Sequence, residues 1–239
     1  MTTSDYVTLG GGRMYIDVYK DGKPTGKWQY FGLTTAPSLS TDMETLEHIN
    51  TEGPTQAVDK TIVKKQSATL SWTSDEISVN MLARAFYGEV ATQTAADKTI
   101  SLNGAMIGDL VDTGATGASV SIDGLVADED YKYNEKTGLI EFLTEQSAEL
   151  EISVSGGKAN VSVSAFKNAK LEAAIMFMGD SATGTAMKFE AYKCSIRQDG
   201  EFSLKGDEWL SIGFTADILK DESRPAGDQF FKFTELEVR

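Results

Sequence analysis

The sequence predicts a mainly β protein. Runs of alternating apolar and polar residues recur along the chain, paired turn residues separate them, and only one stretch has helical spacing. In 14–19, Met14, Ile16 and Val18 share one face. In 37–48, Leu39, Thr41 and Met43 face one way, while Ser38, Ser40, Asp42 and Glu44 face the other. In 67–73, Ala68, Leu70 and Trp72 oppose Ser67, Thr69, Ser71 and Thr73. Leu150, Ile152 and Val154 alternate with Glu151 and Ser153, and Val161, Val163 and Ala165 repeat the pattern. The clearest run is 210–219, where Leu210, Ile212, Phe214, Ala216 and Ile218 oppose Ser211, Gly213, Thr215 and Asp217. Such strands bury one face and wet the other.

Turns are predicted at Asp21-Gly22, Asn103-Gly104, Asp123-Gly124, Gly156-Gly157 and Asp199-Gly200, whose residues tolerate positive φ. In 187–196 the apolar phase slips between Phe189/Ala191 and Cys194/Ile196, which a β-bulge or a strand end explains. One helix is predicted in 77–89, where Met81, Leu82, Ala85 and Phe86 share a face. Ser78 fits its N-cap and Gly88 its stop, with Thr73–Glu76 an alternative capping box. About ten helical residues need a sheet to pack on.

At 239 residues the chain suits one large domain, or one with an insertion. Residues 91–165 are rich in Ala, Thr, Ser and Gly. They read as an elaborated β-rich loop region or a small subdomain inserted between 1–90 and 166–239, which together build one body.

The net charge is −14. Phosphate and anionic membranes repel such a surface, which argues against clamping DNA. Cys194 is the only cysteine, so no internal disulfide forms. The first twenty residues lack a signal-peptide pattern and no apolar run is long enough to span a membrane, so assembly in a cytoplasm is expected.

The residues do not assemble into catalytic chemistry. His48 is the sole histidine, no G-x-S-x-G elbow occurs, and a surface or interface role is expected for it. Cys194 reads as a small strand hydrophobe. Gly179–Lys188 lacks the G-K-[ST] of a phosphate loop, and Gly10-Gly11-Gly12 precedes a strand rather than a helix. Asp128-Glu129-Asp130 lacks calcium-loop spacing. Trp28, Trp72 and Trp209 are expected as core or interface anchors. We therefore expect no enzyme activity, no cofactor and no metal.

Two blocks, 9–89 and 171–221, resemble the tail tube (major tail) proteins of tailed bacteriophages. The resemblance runs through a Gly-rich opening strand, Tyr30-Phe31-Gly32 and Met43-Glu44-Thr45-Leu46-Glu47-His48. It continues through the helix phrase Ile77 to Leu82 and the closing phrase Arg197 to Trp209, with Tyr131–Leu143 also similar. It implies a β-sandwich/barrel-type tail tube fold with one short flanking helix. It implies rings, usually hexameric, whose inner strands join into one barrel, stacked into the conduit for DNA ejection. Implied partners are other copies of the chain and the tape measure, tail tip and tail terminator proteins, in a virion tail assembled in the bacterial cytoplasm. No membrane is involved.

On that reading Ser38, Ser40, Asp42, Glu44, Ser67, Thr69, Ser71, Thr215 and Asp217 line the bore. Six copies would carry 6 × −14 = −84, part of it facing DNA that passes without specific binding. The polar segment 49–63, with Asn50, Glu52, Gly53, Pro54, Gln56 and Asp59, is expected to be a loop that orders against the next ring. The alternatives are another virion β-sandwich protein (tail terminator or head decoration) or a carbohydrate-binding sandwich.

Overall fold

The computed structural model describes residues 10–50, 57–93, 97–158, 160–181 and 186–236. It is mainly β, of sandwich type, with one helix among these residues. In chain order the first strands are β1 (Gly10–Val18), β2 (Gln29–Tyr30), β3 (Thr34–Asn50) and β4 (Ala57–Ser74), followed by α1 (Val79–Ala85). Then come β5 (Glu89–Gln93), β6 (Lys98–Ala105), β7 (Leu110–Asp112) and β8 (Ser119–Ile122). They continue with β9 (Tyr131–Asn134), β10 (Leu139–Phe142), β11 (Gln146–Ser155) and β12 (Asn160–Ser164). The last are β13 (Leu171–Ser181), β14 (Ala186–Asp199), β15 (Ile212–Ile218) and β16 (Phe231–Leu236).

The chain divides into two compact units, Met1–Glu89 with Ala165–Arg239, and Val90–Ser164. The first unit holds an antiparallel sheet in the order β2-β1-β13-β14-β15-β4-β3, with β16 also on β14. β14 takes two neighbours along one edge: β16 opposite 186–191 and β15 opposite 194–199. The exchange falls where the register against β13 shifts between Ala173/Cys194 and Ile175/Ala191. That is a β-bulge, and it is the physical cause of the apolar phase slip.

The sheet curls over on itself. Phe31, just past β2 at one end of the strand order, meets Trp72 on β4 and Phe214 on β15, both at 5.2 Å and edge-on. Met14 and Ile16 from β1 thus share one core with Leu70 and Trp72 from β4, and Met81 and Ala85 of α1 join them. The helix is shorter than predicted. Ser78 caps it, its Oγ accepting from the Met81 N–H at 3.3 Å. The stop is made by Tyr87, at φ 51°, rather than by Gly88.

The second unit has its own core. Tyr131, Ile140 and Phe142 come from the sheet β7-β10-β9, and Ile122, Leu150, Ile152 and Val154 from the sheet β6-β11-β8. Asp21-Gly22 is a two-residue hairpin turn with both φ positive, closed by reciprocal bonds between Lys20 and Lys23. Asn103-Gly104 is not a turn: it lies inside β6, opposite a bulge between Gln146 and Glu149. Nor does β12 bury an apolar face, since Val161 is exposed.

Candidate functional site

The three polar strand faces predicted from sequence come together on neighbouring strands. Register pairs Ser38 with Ser71, Ser40 with Thr69 and Asp42 with Ser67 across β3 and β4. Ser71 then pairs with Thr215, and Thr69 with Asp217, across β4 and β15. The rows continue onto β14 as Arg197 and Ser195. One polar surface therefore crosses four strands. Its reverse side is the core: Leu70, Trp72, Phe214, Ala216 and Ile196 are all buried. Alternation is what forces this separation, because one residue's slip would turn every side chain over.

Ser38, Ser40, Asp42 and Glu44 are exposed on this surface, and Ser67, Thr69, Ser71 and Asp217 half-buried. Thr215 departs from expectation. It has the predicted position but is only 6% exposed. Its hydroxyl donates to Asp199 Oδ2 at 3.0 Å. The charge pattern also needs correction. Asp217 is ion-paired with Arg197 and accepts from Thr69 Oγ1 at 3.4 Å, and Glu44 is paired with Lys64 at 2.8 Å. The hydrogen bond that the Arg197 guanidinium donates to the Asp217 carboxylate holds its pKa above the usual value. Two of the three acids expected to make the face negative are thus locally neutralised. Sequence reading left out Ser195, Arg197 and Asp199, although their alternation with Cys194 and Ile196 was visible beyond the slip. Gly213 is demanded here, since a Cβ would lie 2.5 Å from the Asp199 carbonyl oxygen on the paired strand.

Two features adjoin this face. First, β3 ends the strand order, so among the described residues no strand pairs its outer edge. Second, β3 and β4 run on as a two-stranded arm, 42–50 and 57–66, well past β15, whose pairing ends at Ala68. Every arm residue is exposed. Leu46 lies directly opposite Ile62 at 57% and 60% exposure, and Met43, Ile49, Val58 and Val63 are exposed as well. Register shifts leave Lys64 and Asp59 as extra residues in β4. Lys64 reaches Glu44, and Asp59 Oδ1 lies 2.6 Å from His48 Nδ1, so each bulged side chain bridges the strands.

Asn50 and Asp59, expected in an inter-ring loop, are strand residues of this arm. Glu52, Gly53, Pro54 and Gln56 lie outside the described residues. The arm's apolar pairs were missed because Leu46 and Ile49, or adjacent Ile62 and Val63, break strict alternation. That breach was the available signal.

The groups considered for chemistry take structural positions. His48 is exposed on the arm beside Asp59. Cys194 is fully buried, and burial pushes its thiol up to about 12, which disfavours the reactive thiolate. A cavity of about 460 Å³ is lined by Arg84, Tyr87, Lys170 and Glu172, among others. Its Arg84 is already committed, donating to Gln29 Oε1 at 2.9 Å and lying over the Phe31 ring. Among the described residues no group of three His, Cys, Asp or Glu side chains is placed to hold a metal ion. Trp72 is buried as an anchor, Trp28 is 39% exposed and Trp209 is 97% exposed. No helix of the described residues is long and apolar enough to cross a membrane.

No curated protein matches this sequence. A family model described as "Protein of unknown function UCP028589" matches residues 7–237, nearly the full length, and the chain belongs to that family.

Proposed function

We propose that this chain is a non-enzymatic, self-assembling virion subunit of the phage tail tube, stacking as rings around a conduit for DNA. The observation that carries the reading is one polar face across β14, β15, β4 and β3, where β3, paired with β4 on one side, ends the strand order and has no strand on its outer edge among the described residues. An open edge invites another strand, and soluble proteins normally shorten, twist or cover such edges. Pairing it with the next copy would remove the edge and extend the polar face around an axis, as barrel closure requires. The core side would then face outward into each subunit and the polar side toward water.

The arm supports the same reading. A two-stranded ribbon alone is marginal in water. This one exposes six large apolar side chains and has no third strand among the described residues. A second copy is the partner that would stabilise it. The resemblance of 9–89 and 171–221 to tail tube proteins, argued above from residues, points the same way. Because Arg197 and Lys64 offset Asp217 and Glu44, the bore of such a tube would be mildly acidic at most. Hydroxyl-rich rows would give DNA few cationic partners.

Negative-stain microscopy of the purified chain over a range of concentration and salt tests the proposal. Hollow tubes or rings of even width are expected. Globular monomers under every condition would overturn it.

A further inference from the structure

α1 turns Met81 and Ala85 into the core of the first unit and leaves a second face. On that face Asn80, Ala83, Arg84 and Tyr87 follow one another at helical spacing. They line the cavity of about 460 Å³ together with Tyr19, Lys170 and Glu172, which lie in or next to β1 and β13. Small-molecule sites run from roughly 300 to 1,000 Å³. The cavity has one uncancelled charge, and it is positive. Lys170 Nζ lies 2.7 Å from Glu172 Oε1, so those two charges offset each other. Arg84 is half-buried, and among the described residues no carboxylate lies within ion-pair distance of it. The contacts that commit it to Gln29 and Phe31 fix the guanidinium in place but bring no negative charge, and they use two of its five N–H donors. Glu76 acts on it from farther off and already accepts from the Leu33 N–H at 3.3 Å. Burial therefore lowers the Arg84 pKa below its usual value. A cation held this way is costly alone, and an anion brought to it makes a strong, charge-assisted hydrogen bond.

We propose that this cavity binds a small carboxylate with an aromatic body, its charge taken by Arg84 and Asn80 and its ring held against Tyr19 and Tyr87. The two tyrosines donate their hydroxyls to backbone carbonyls, Tyr19 to Tyr192 at 2.8 Å and Tyr87 to Ile196 at 3.3 Å. They therefore offer the cavity their rings rather than their donors, and ring against ring is a favoured contact. The Asn80 amide makes no hydrogen bond among the described residues and stands one turn before Arg84, where its N–H₂ can share the bound oxygens. The three N–H donors that Arg84 keeps match the two oxygens of a carboxylate. This binding does not depend on self-assembly.

Saturation-transfer NMR on the full chain tests it with three probes: benzoate, acetate, which has the charge without the ring, and benzyl alcohol, which has the ring without the charge. The method observes the small molecule, so it reads free and assembled protein alike. Benzoate should receive saturation and titrate to a plateau, and the other two should bind more weakly by roughly tenfold or more. Arg84→Gln should lose benzoate. Because Arg84 also lies over the Phe31 ring, a second variant guards against a folding defect. Asn80 is exposed, so Asn80→Asp should melt like the wild type. It supplies Arg84 with a carboxylate of its own at i,i+4 and should weaken benzoate by roughly tenfold. Wild-type protein that transfers no saturation to benzoate would overturn the proposal. So would Asn80→Asp binding benzoate as tightly as the wild type, or acetate or benzyl alcohol matching benzoate.

Discussion

β4 is one strand in two environments. From Ala68 to Ser74 every second residue is buried, and the strand lies between β3 and β15. From Ala57 to Gln66 nothing is buried, though Val58, Ile62 and Val63 are as apolar as the residues of the root. The difference is not composition but the presence of a third strand and a core behind it. The root is stabilised by its own copy. The arm has backbone pairing, the exposed Lys64–Glu44 ion pair and the exposed His48–Asp59 contact, and such surface contacts contribute little. A strand whose apolar residues are buried in one half and exposed in the other would, on the self-assembly proposal, have two tasks, folding and meeting a partner.

Truncation separates these tasks most sharply. Trp72 stacks on Phe214 with centroids 5.6 Å apart and meets Phe31 edge-on. Trp72→Ala should cost about 3–5 kcal/mol of unfolding free energy in urea titrations. Its indole Nε1 has no hydrogen-bond partner among the described residues, so Trp72→Phe loses packing only and should cost much less. In the arm, Ile62→Ala should shift unfolding by no more than about 0.5 kcal/mol. If Ile62→Ala proves as damaging as Trp72→Ala, the arm belongs to the monomer's core and the contrast fails.

The same contrast explains what was legible in the sequence. Root strands read correctly because a core on one side and water on the other imprint period two: Leu70/Trp72 and Phe214/Ala216 needed no structure to be assigned. The bulge in β14 was also visible as a phase slip, though only the paired strand distinguishes a bulge from a strand end. The arm was hidden because no core lies behind either of its faces, so Leu46, Ile62 and Val63 obey no inside–outside rule. Asn50 and Asp59 looked like loop residues for the same reason. The polar face was legible strand by strand, but its order was not. That Asp217 faces Arg197 and Thr215 is covered beside Asp199 depends on which strands become neighbours, and non-local pairing leaves no local trace. The boundary near residue 91 showed as a composition change, whereas the core around Ile140, Phe142 and Ile152 came from strands too short to stand out.

Alkaline pH probes the root without any mutation. Burial, and secondarily Asp217, raises the Cys194 thiol from 9.0 to about 12. Burial raises the Tyr19 and Tyr192 hydroxyls from 10.0 to about 12, reinforced by Asp221 for the former and by the hydrogen bond to Asp228 for the latter. Each folded value lies above its unfolded one, so the folded state holds these protons more tightly. Their contribution is complete below pH 9 and is lost as pH climbs toward 12, because the unfolded chain ionises first. The melting temperature should therefore decline above pH 9, and in Cys194→Ala the decline should begin only near pH 10. An identical pH profile for the variant would mean the thiol is not held neutral by the core.

The smallest expected effect lies on the polar face of the root, where Arg197 meets Asp217 with both side chains about half exposed. Water screens such a pair, so Arg197→Ala should lower stability by less than about 1 kcal/mol. Thr69 still donates to Asp217 after the change, which limits the loss further. The informative readout is therefore not stability but charge. Removing the guanidinium leaves Asp217 uncompensated and makes every copy's polar face one unit more negative. If that face lines a bore, assembly should proceed at the wild-type level, and the lumen alone becomes more acidic. If Arg197→Ala instead abolishes assembly, the polar face is itself a contact surface between copies and cannot be the wall of an open channel.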